Sequence, residues 1–368
     1  MIRCLVADDS RVFRAILRAI LCRARDVEIV GEAADGDEAV KKVLELRPDV
    51  VTMDVRMPGK DGLTAIAEIM RRAPTPIIVV SAEAGPEKQE LSFRALQLGA
   101  IEVLGKPRTD GQGRFEREAE EIRSAVQAVA GLRPVARFPR PAARTGAAAS
   151  PADRPAAVPL RTPWPPLSLG TGAPVRAVGI AASTGGPAAL ARILSGLPAD
   201  YAMPILVVQH IARGFERGLA HWLDQESPLD VRIAAHGELL RPGTVYLAPD
   251  GLHLGAAGDR VELSDGAPVR GFRPSGTRLF ESLAREYGSS AAGVILSGMG
   301  DDGADGLKTM RDRGGYTAAQ GPVSSVVFGM PRAAIDRGAA SVTLELEDIA
   351  GALARLARGP RDRGASGS

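Results

Sequence analysis

Short apolar runs, each followed by a longer amphipathic stretch, recur along this chain in two separate blocks. Strands buried on both faces read as near-continuous apolar runs, and their alternation with helical patterns predicts a parallel sheet covered by helices. In the first block the runs at 4–7, 27–30, 50–53, 77–80 and 102–104 predict five strands, with helical patterns at 11–23 and 38–46. Five strands and five helices fit one doubly wound, flavodoxin-like domain over residues 1–130. In the second block, runs at 175–181, 205–209, 245–248 and 293–296 predict strands, and 188–195 and 215–224 predict helices. A second doubly wound, Rossmann-like α/β domain is expected over 175–357.

Between the blocks, residues 131–174 are rich in Pro, Ala and Arg and poor in large apolar side chains. Such a segment buries too little surface to offset its ordering entropy, so a disordered, extended linker is expected, and a disordered polar tail over 358–368. The division suits a chain of 368 residues, which is too long for one ordinary core.

Charge and composition exclude several function classes. Gly131 to Gly172 holds six Arg and one Asp, a local +5 within a chain whose net charge is +2. With no helix-turn-helix pattern beside it, this stretch reads as a solvated linker, and no nucleic-acid partner is expected. The start of the chain turns acidic at Asp8, too early for a signal peptide, and no run of about 18 apolar residues exists. A cytoplasmic protein without membrane insertion is expected. Cys4 and Cys22 are the only cysteines, and His210, His221, His236 and His253 match no common zinc spacing.

Asp8 and Asp9 fall just past the first predicted strand and Asp54 just past the third. Both places lie at the carboxyl edge of a parallel sheet, where open α/β folds put their sites. Three carboxylates converging there would hold a hard divalent ion, most naturally Mg²⁺, and so offset the charge of an acyl phosphate forming on Asp54. Ser81 and Lys106 end the fourth and fifth strands, in reach of phosphoryl oxygens. Singly, Asp8-Asp9-Ser10 also reads as a helix cap and Asp54 as a turn carboxylate. Jointly, through Val6-Ala7-Asp8-Asp9-Ser10, Met53-Asp54-Val55-Arg56-Met57-Pro58-Gly59, Val80-Ser81-Ala82 and Gly105-Lys106-Pro107, the block resembles the response-regulator receiver family. The resemblance implies phosphorylation of Asp54 by a chemotaxis histidine kinase. Val103 departs from it, standing where many receivers carry an aromatic.

In the second block Val178-Gly179-Ile180-Ala181-Ala182-Ser183-Thr184-Gly185-Gly186-Pro187 is a strand, a serine, glycines and a helix-opening proline. That order exposes Ser183 at a helix N-terminus, where backbone N–H groups favour negative charge. It differs from the Gly-x-Ser-x-Gly elbow and on its own reads equally as a cap or a phosphate cradle. His210 ends the run 204–209, and Asp302 follows the run 294–301, so three strand ends would present Ser, His and Asp in one crevice. In that arrangement a base deprotonates the hydroxyl while a carboxylate fixes its tautomer.

At Ala182-Ser183-Thr184-Gly185-Gly186-Pro187, Gln209-His210, Arg273-Pro274-Ser275, Ser297-Gly298-Met299-Gly300-Asp301-Asp302-Gly303 and Val326-Val327-Phe328-Gly329-Met330-Pro331 the block resembles the chemotaxis receptor methylesterase family. That family comprises receiver-linked protein-glutamate methylesterases and glutamine deamidases. The resemblance implies Ser183 as nucleophile, His210 as base, Asp302 as its partner, and an oxyanion site at the backbone of Thr184 and Met299. It further implies methyl-accepting chemoreceptors as substrates, hydrolysis without a cofactor, and a receiver that covers the crevice until it is phosphorylated. Phe272, Gly276-Thr277 and Gly321-Pro322 depart from the family's pattern. Two rival readings are a non-catalytic response regulator and a related hydrolase of a non-motility chemosensory pathway.

Overall fold

The computed structural model of the chain describes residues 1–23, 25–81, 86–107, 114–132 and 174–358. Apart from Gly131, Leu132 and Pro174, the expected linker lies outside the described residues, as does the expected tail beyond Arg358.

Two parallel sheets carry the fold. The first is built from β1 (Ile2–Ala7), β2 (Val27–Ala33), β3 (Val50–Met53), β4 (Ile77–Ser81) and β5 (Glu102–Gly105). They are ordered β2-β1-β3-β4-β5, and every neighbouring pair runs parallel. Successive side chains of a strand point to opposite faces, and β1 divides accordingly. Leu5 and Ala7 join one core cluster, while Cys4 and Val6 join another. The helices α2 (Gly36–Leu46), α3 (Gly62–Arg72) and α4 (Pro86–Gln97) cover the first face. On the second lie α1 (Arg11–Leu21) and α5 (Arg114–Val129). Ser10 does cap α1, its Oγ accepting from Phe13 N at 3.3 Å, which leaves Asp8 and Asp9 at the sheet edge. Asp35 caps α2 and Asp61 caps α3 in the same way.

The second sheet holds β6 (Ala177–Ala182), β7 (Ile205–Gln209), β8 (Asp230–Ile233), β9 (Thr244–Leu247), β12 (Ala291–Ile295), β13 (Tyr316–Gln320) and β14 (Val342–Leu344). A separate antiparallel hairpin joins β10 (His253–Ala257) to β11 (Arg260–Ser264). The sheet order is β14-β13-β12-β6-β7-β9-β8, parallel throughout. Leu190, Ile193, Leu219, Trp222, Ile349 and Leu353 cover one face, from α6 (Gly186–Ser195), α7 (Glu216–Glu226) and α11 (Leu346–Arg358). The other face packs on α8 (Gly276–Tyr287), α9 (Ala304–Asp312) and α10 (Met330–Asp336) through residues such as Phe280, Leu307 and Ala334. β12, β6 and β7, which the sequence predicts to bear Asp302, Ser183 and His210, are therefore side by side in the centre.

The two halves meet along α4, β5 and α5. Phe93 of α4 is fully buried, stacked on Trp222 with ring centroids 5.9 Å apart and edge-on to Phe215 at 6.3 Å. Aromatic pairs of this kind add attraction beyond their buried area. Among the described residues no helix is long and apolar enough to cross a membrane.

Candidate active site

At the carboxyl edge of the first sheet, Asp8, Asp9 and Asp54 each bring a carboxylate oxygen within 4.8 Å of the others. An all-oxygen, all-anionic set of this kind suits a hard divalent cation. Lys106 reaches across from the end of β5, its Nζ 2.6 Å from Asp8 Oδ2 and 2.7 Å from Asp54 Oδ2. Burial opposes the ammonium, yet its bonds to Asp54 and Asp8 outweigh that and raise its pKa above the usual lysine value. Burial also pushes the Asp8 carboxyl up, against the pull of Lys106. Ser81 closes β4, and its carbonyl accepts from Lys106 N at 2.8 Å. Val103 is buried in β5, within the core on one face of the first sheet.

At the corresponding edge of the second sheet, Ser183 leaves β6, and Gly185 turns the chain into α6 with a φ of 76°. A side chain at Gly185 would be strained there and would meet Val326, so the glycine belongs to the turn. Ser183 N donates to Ser297 O at 3.0 Å, while Ser183 O accepts from Gln209 Nε2 at 2.8 Å. Ser297 Oγ in turn donates to Thr184 O at 2.8 Å. Gly298 lets the loop after β12 press against the serine, since a Cβ there would stand 2.6 Å from Ser183 Cβ.

His210 leaves β7, with its N–H bonded to Ala182 O at 2.9 Å, and its Nε2 pairs with Asp302 Oδ2 at 2.9 Å. Nδ1 is buried and has no hydrogen-bond partner among the described residues. Asp302 is fully buried and accepts also from Ser275 Oγ at 2.7 Å, Gly276 N at 2.6 Å and Thr277 N at 3.2 Å. Burial alone would raise its carboxyl. The hydrogen bond and charge of His210, with Ser275 and Gly276, outweigh burial and bring it down to about 2. Phe272 lies flat on the His210 ring.

Ser183, Thr184, His210 and Met299 line one cleft of about 500 Å³. The structure thus brings together every residue expected for hydrolysis, with Thr184 buried and Met299 at the rim. Part of the cleft wall comes from the first domain. Glu102 of β5 reaches over, and its Oε2 accepts from Gly185 N at 3.2 Å and bonds the Thr184 side chain. Burial raises this carboxyl to about 8.

Sequence reasoning assigned no role to Glu102, Gln209, Ser275 or Ser297. Glu102 left one signal, a carboxylate at the head of an otherwise apolar strand. The other three stand inside recognised motifs, and only their contacts reveal that they shape the site.

The CheB methylesterase family model matches residues 178–353, and the response regulator receiver domain model matches residues 4–114. Over 358 residues the chain is 46% identical to protein-glutamate methylesterase/protein-glutamine glutaminase 2 of Anaeromyxobacter dehalogenans (strain 2CP-C), covering 97% of each. With protein-glutamate methylesterase/protein-glutamine glutaminase 4 of Myxococcus xanthus (strain DK1622) it shares 45% over 359 residues, 97% of this chain and 98% of that one. The solved Thermotoga maritima CheB methylesterase catalytic domain is 38% identical, with a TM-score of 0.48, over 50% of this chain and 98% of that one.

Proposed function

Since the chain belongs to the CheB methylesterase family and carries that family's receiver domain, we propose that it hydrolyses glutamate methyl esters on methyl-accepting chemoreceptors. It acts on their cytoplasmic helices, and deamidation of glutamine is the related activity. Both reactions are acyl transfers from an uncharged side-chain carbonyl to water.

In this reading Ser183 Oγ attacks the carbonyl and passes its proton to His210. With Nε2 committed to Asp302, Nδ1 is the nitrogen free to take it. The tetrahedral oxyanion collects backbone N–H donors at Thr184, at the entry to α6, and at Met299, in the loop after β12. His210 then protonates the departing methanol, or ammonia from glutamine. An acyl-enzyme on Ser183 remains, and water activated by His210 releases glutamate. Asp302, held ionised at the base of the cleft, stabilises the imidazolium that forms twice per turnover.

The single observation that carries this reading is the convergence of Ser183, His210 and Asp302 from three adjacent central strands, with the His210–Asp302 bond formed. Purified protein incubated with methyl-labelled receptor membranes should release volatile methanol, and Ser183→Ala should abolish the release. Methanol release independent of Ser183 would overturn the assignment.

Gating by phosphorylation belongs to the same proposal. A chemotaxis histidine kinase would supply the phosphoryl group to Asp54. Mg²⁺, which Asp8, Asp9 and Asp54 would hold, would supply charge neutralisation for that phosphoryl group. Glu102 and Lys106 supply the link between the two sites. They lie four residues apart on and just past β5, one on the Ser183 loop and the other on Asp54. Moving Lys106 onto a phosphoryl oxygen alters the strand that holds Glu102 in the cleft.

A further inference from the structure

A single hydrogen bond fixes one atom of an imidazole and leaves the plane of the ring free to swing, because the torsion about Cβ–Cγ is broad. His210 is not left that freedom. The Phe272 ring lies parallel to it, with centroids 4.2 Å apart and planes 6° apart. We propose that Phe272 is a positioning residue for the hydrolysis, holding the plane of the His210 ring in the orientation from which its free nitrogen takes the proton of Ser183. The proposal rests on the Ser-His-Asp reading above.

The presentation of Phe272 is itself built. Val269 and Phe272 exchange both backbone hydrogen bonds, at 3.0 and 2.9 Å, and close a two-residue turn. Both central residues have positive φ, 50° at Arg270 and 88° at Gly271, the pattern of a type I′ turn. Glycine adopts that conformation freely, whereas arginine is strained in it. Arg270 is held there by two carboxylates, bonding Asp301 through Nη1 and Asp305 through Nη2, the latter at 2.7 Å. Arg337 grips the same two acids. Asp301 immediately precedes Asp302, so the turn that presents the aromatic ring is tied to the loop that presents the carboxylate. Ring plane and ring anchor are thereby set by two linked loops.

Two proton relays depend on that alignment. The first moves a proton from Ser183 Oγ to His210 and on to the leaving oxygen or nitrogen. The second moves one from water to His210 and back to Ser183 Oγ. Phe272 exchanges no proton in either relay. It also shields one face of the ring from water that would compete for the proton.

The test uses the full chain in two assays, with the same acetyl phosphate and Mg²⁺ present throughout. One is methanol release from methyl-labelled receptor membranes. The other is labelling of Ser183 by a small fluorophosphonate, which needs the nucleophile and base but no receptor docking. Phe272→Leu keeps an apolar side chain of similar reach without the flat ring. It should lower kcat on the order of tenfold, leave KM within about twofold, and slow labelling by the same factor. Phe272→Tyr should restore both rates, and both variants should melt with the wild type. Phe272→Leu equal to wild type in both assays overturns the proposal, as does a raised KM with undiminished labelling, which would make Phe272 a receptor contact. Ser183→Ala separates the two readings. If it retains activity the Ser-His-Asp reading falls and this proposal with it, whereas if it is dead and Phe272→Leu is unimpaired, only the role of Phe272 falls.

Discussion

Asp302 keeps its charge in a fully buried place because three donors besides His210 converge on it: Ser275 Oγ, Gly276 N and Thr277 N. A carboxyl lowered from 3.8 to about 2 binds its proton more weakly folded than unfolded. Its contribution to stability is therefore complete above about pH 4 and lost as the pH falls toward 2, a difference of about 2 kcal/mol. Between pH 5 and pH 2 the wild type should lose about that much more stability than Asp302→Asn, as read by urea unfolding. Equal losses would show that the carboxylate is not held as described. The same substitution should cut kcat on the order of 10³- to 10⁴-fold at pH 7, because the imidazolium loses its partner. Ser183 and His210 were legible as candidates because each follows an apolar run directly, and Asp302 because it follows the stretch 294–301 at the same sheet edge. Ser275 was not, since a serine before a helix reads as a cap. It is one, accepting from Thr277 N at 3.2 Å, while its proton goes to Asp302.

At the scale of elements, the strands of the first sheet and β12, β6, β7 and β9 of the second were the legible part, while β8, β13 and β14 went unread, and 205–209 was read with the bounds observed for β7, Ile205–Gln209. Most other ends moved by at most two residues, as at β12, read as 293–296 and found at Ala291–Ile295, and that of β2 by three, from Val30 to Ala33. The β10–β11 hairpin went unread because His253-Leu254-Gly255-Ala256-Ala257 and Arg260-Val261-Glu262-Leu263-Ser264 hold no run of large apolar side chains. Least legible was the docking of β5. Glu102 there has a carboxyl raised to about 8 by burial and further by the charge of Glu121, with Gly185 and Thr184 pulling it down. Undocked, it would return toward its ordinary value of 4.5, so docking takes up a proton between those limits. The contact is tightest at low pH and loosens as the pH rises through that window. Glu102→Gln, neutral at every pH, removes the dependence. The ratio of unphosphorylated rates, wild type over Glu102→Gln, should rise from pH 6 to pH 8, and a flat ratio would count against a carboxyl latch.

For the whole molecule, the division into two α/β halves was written in the return of the βα rhythm after residue 174. What the rhythm left open is how the halves meet, because an interface formed by Phe93, Phe215 and Trp222 looks in sequence like any other core contact. If the first half restrains the second, a fragment of residues 175–357 should outpace the unphosphorylated full chain in methanol release, by on the order of ten- to a hundredfold if the covered state dominates. Equal rates would remove the restraint.

β5 carries Lys106 beside one end and Glu102 at the other, so a single strand touches both sites, and under the proposed gating they would compete for its position. Coupling of this kind is reciprocal: whatever phosphorylation does to the cleft, occupancy of the cleft must do in return to phosphorylation. Under the proposed gating, a receptor segment or an acyl group on Ser183 would displace Glu102 and leave Lys106 freer to receive the phosphoryl group. Occupied cleft and phosphorylated Asp54 would then favour one another at equilibrium, so that substrate at hand would raise the share of enzyme carrying the mark.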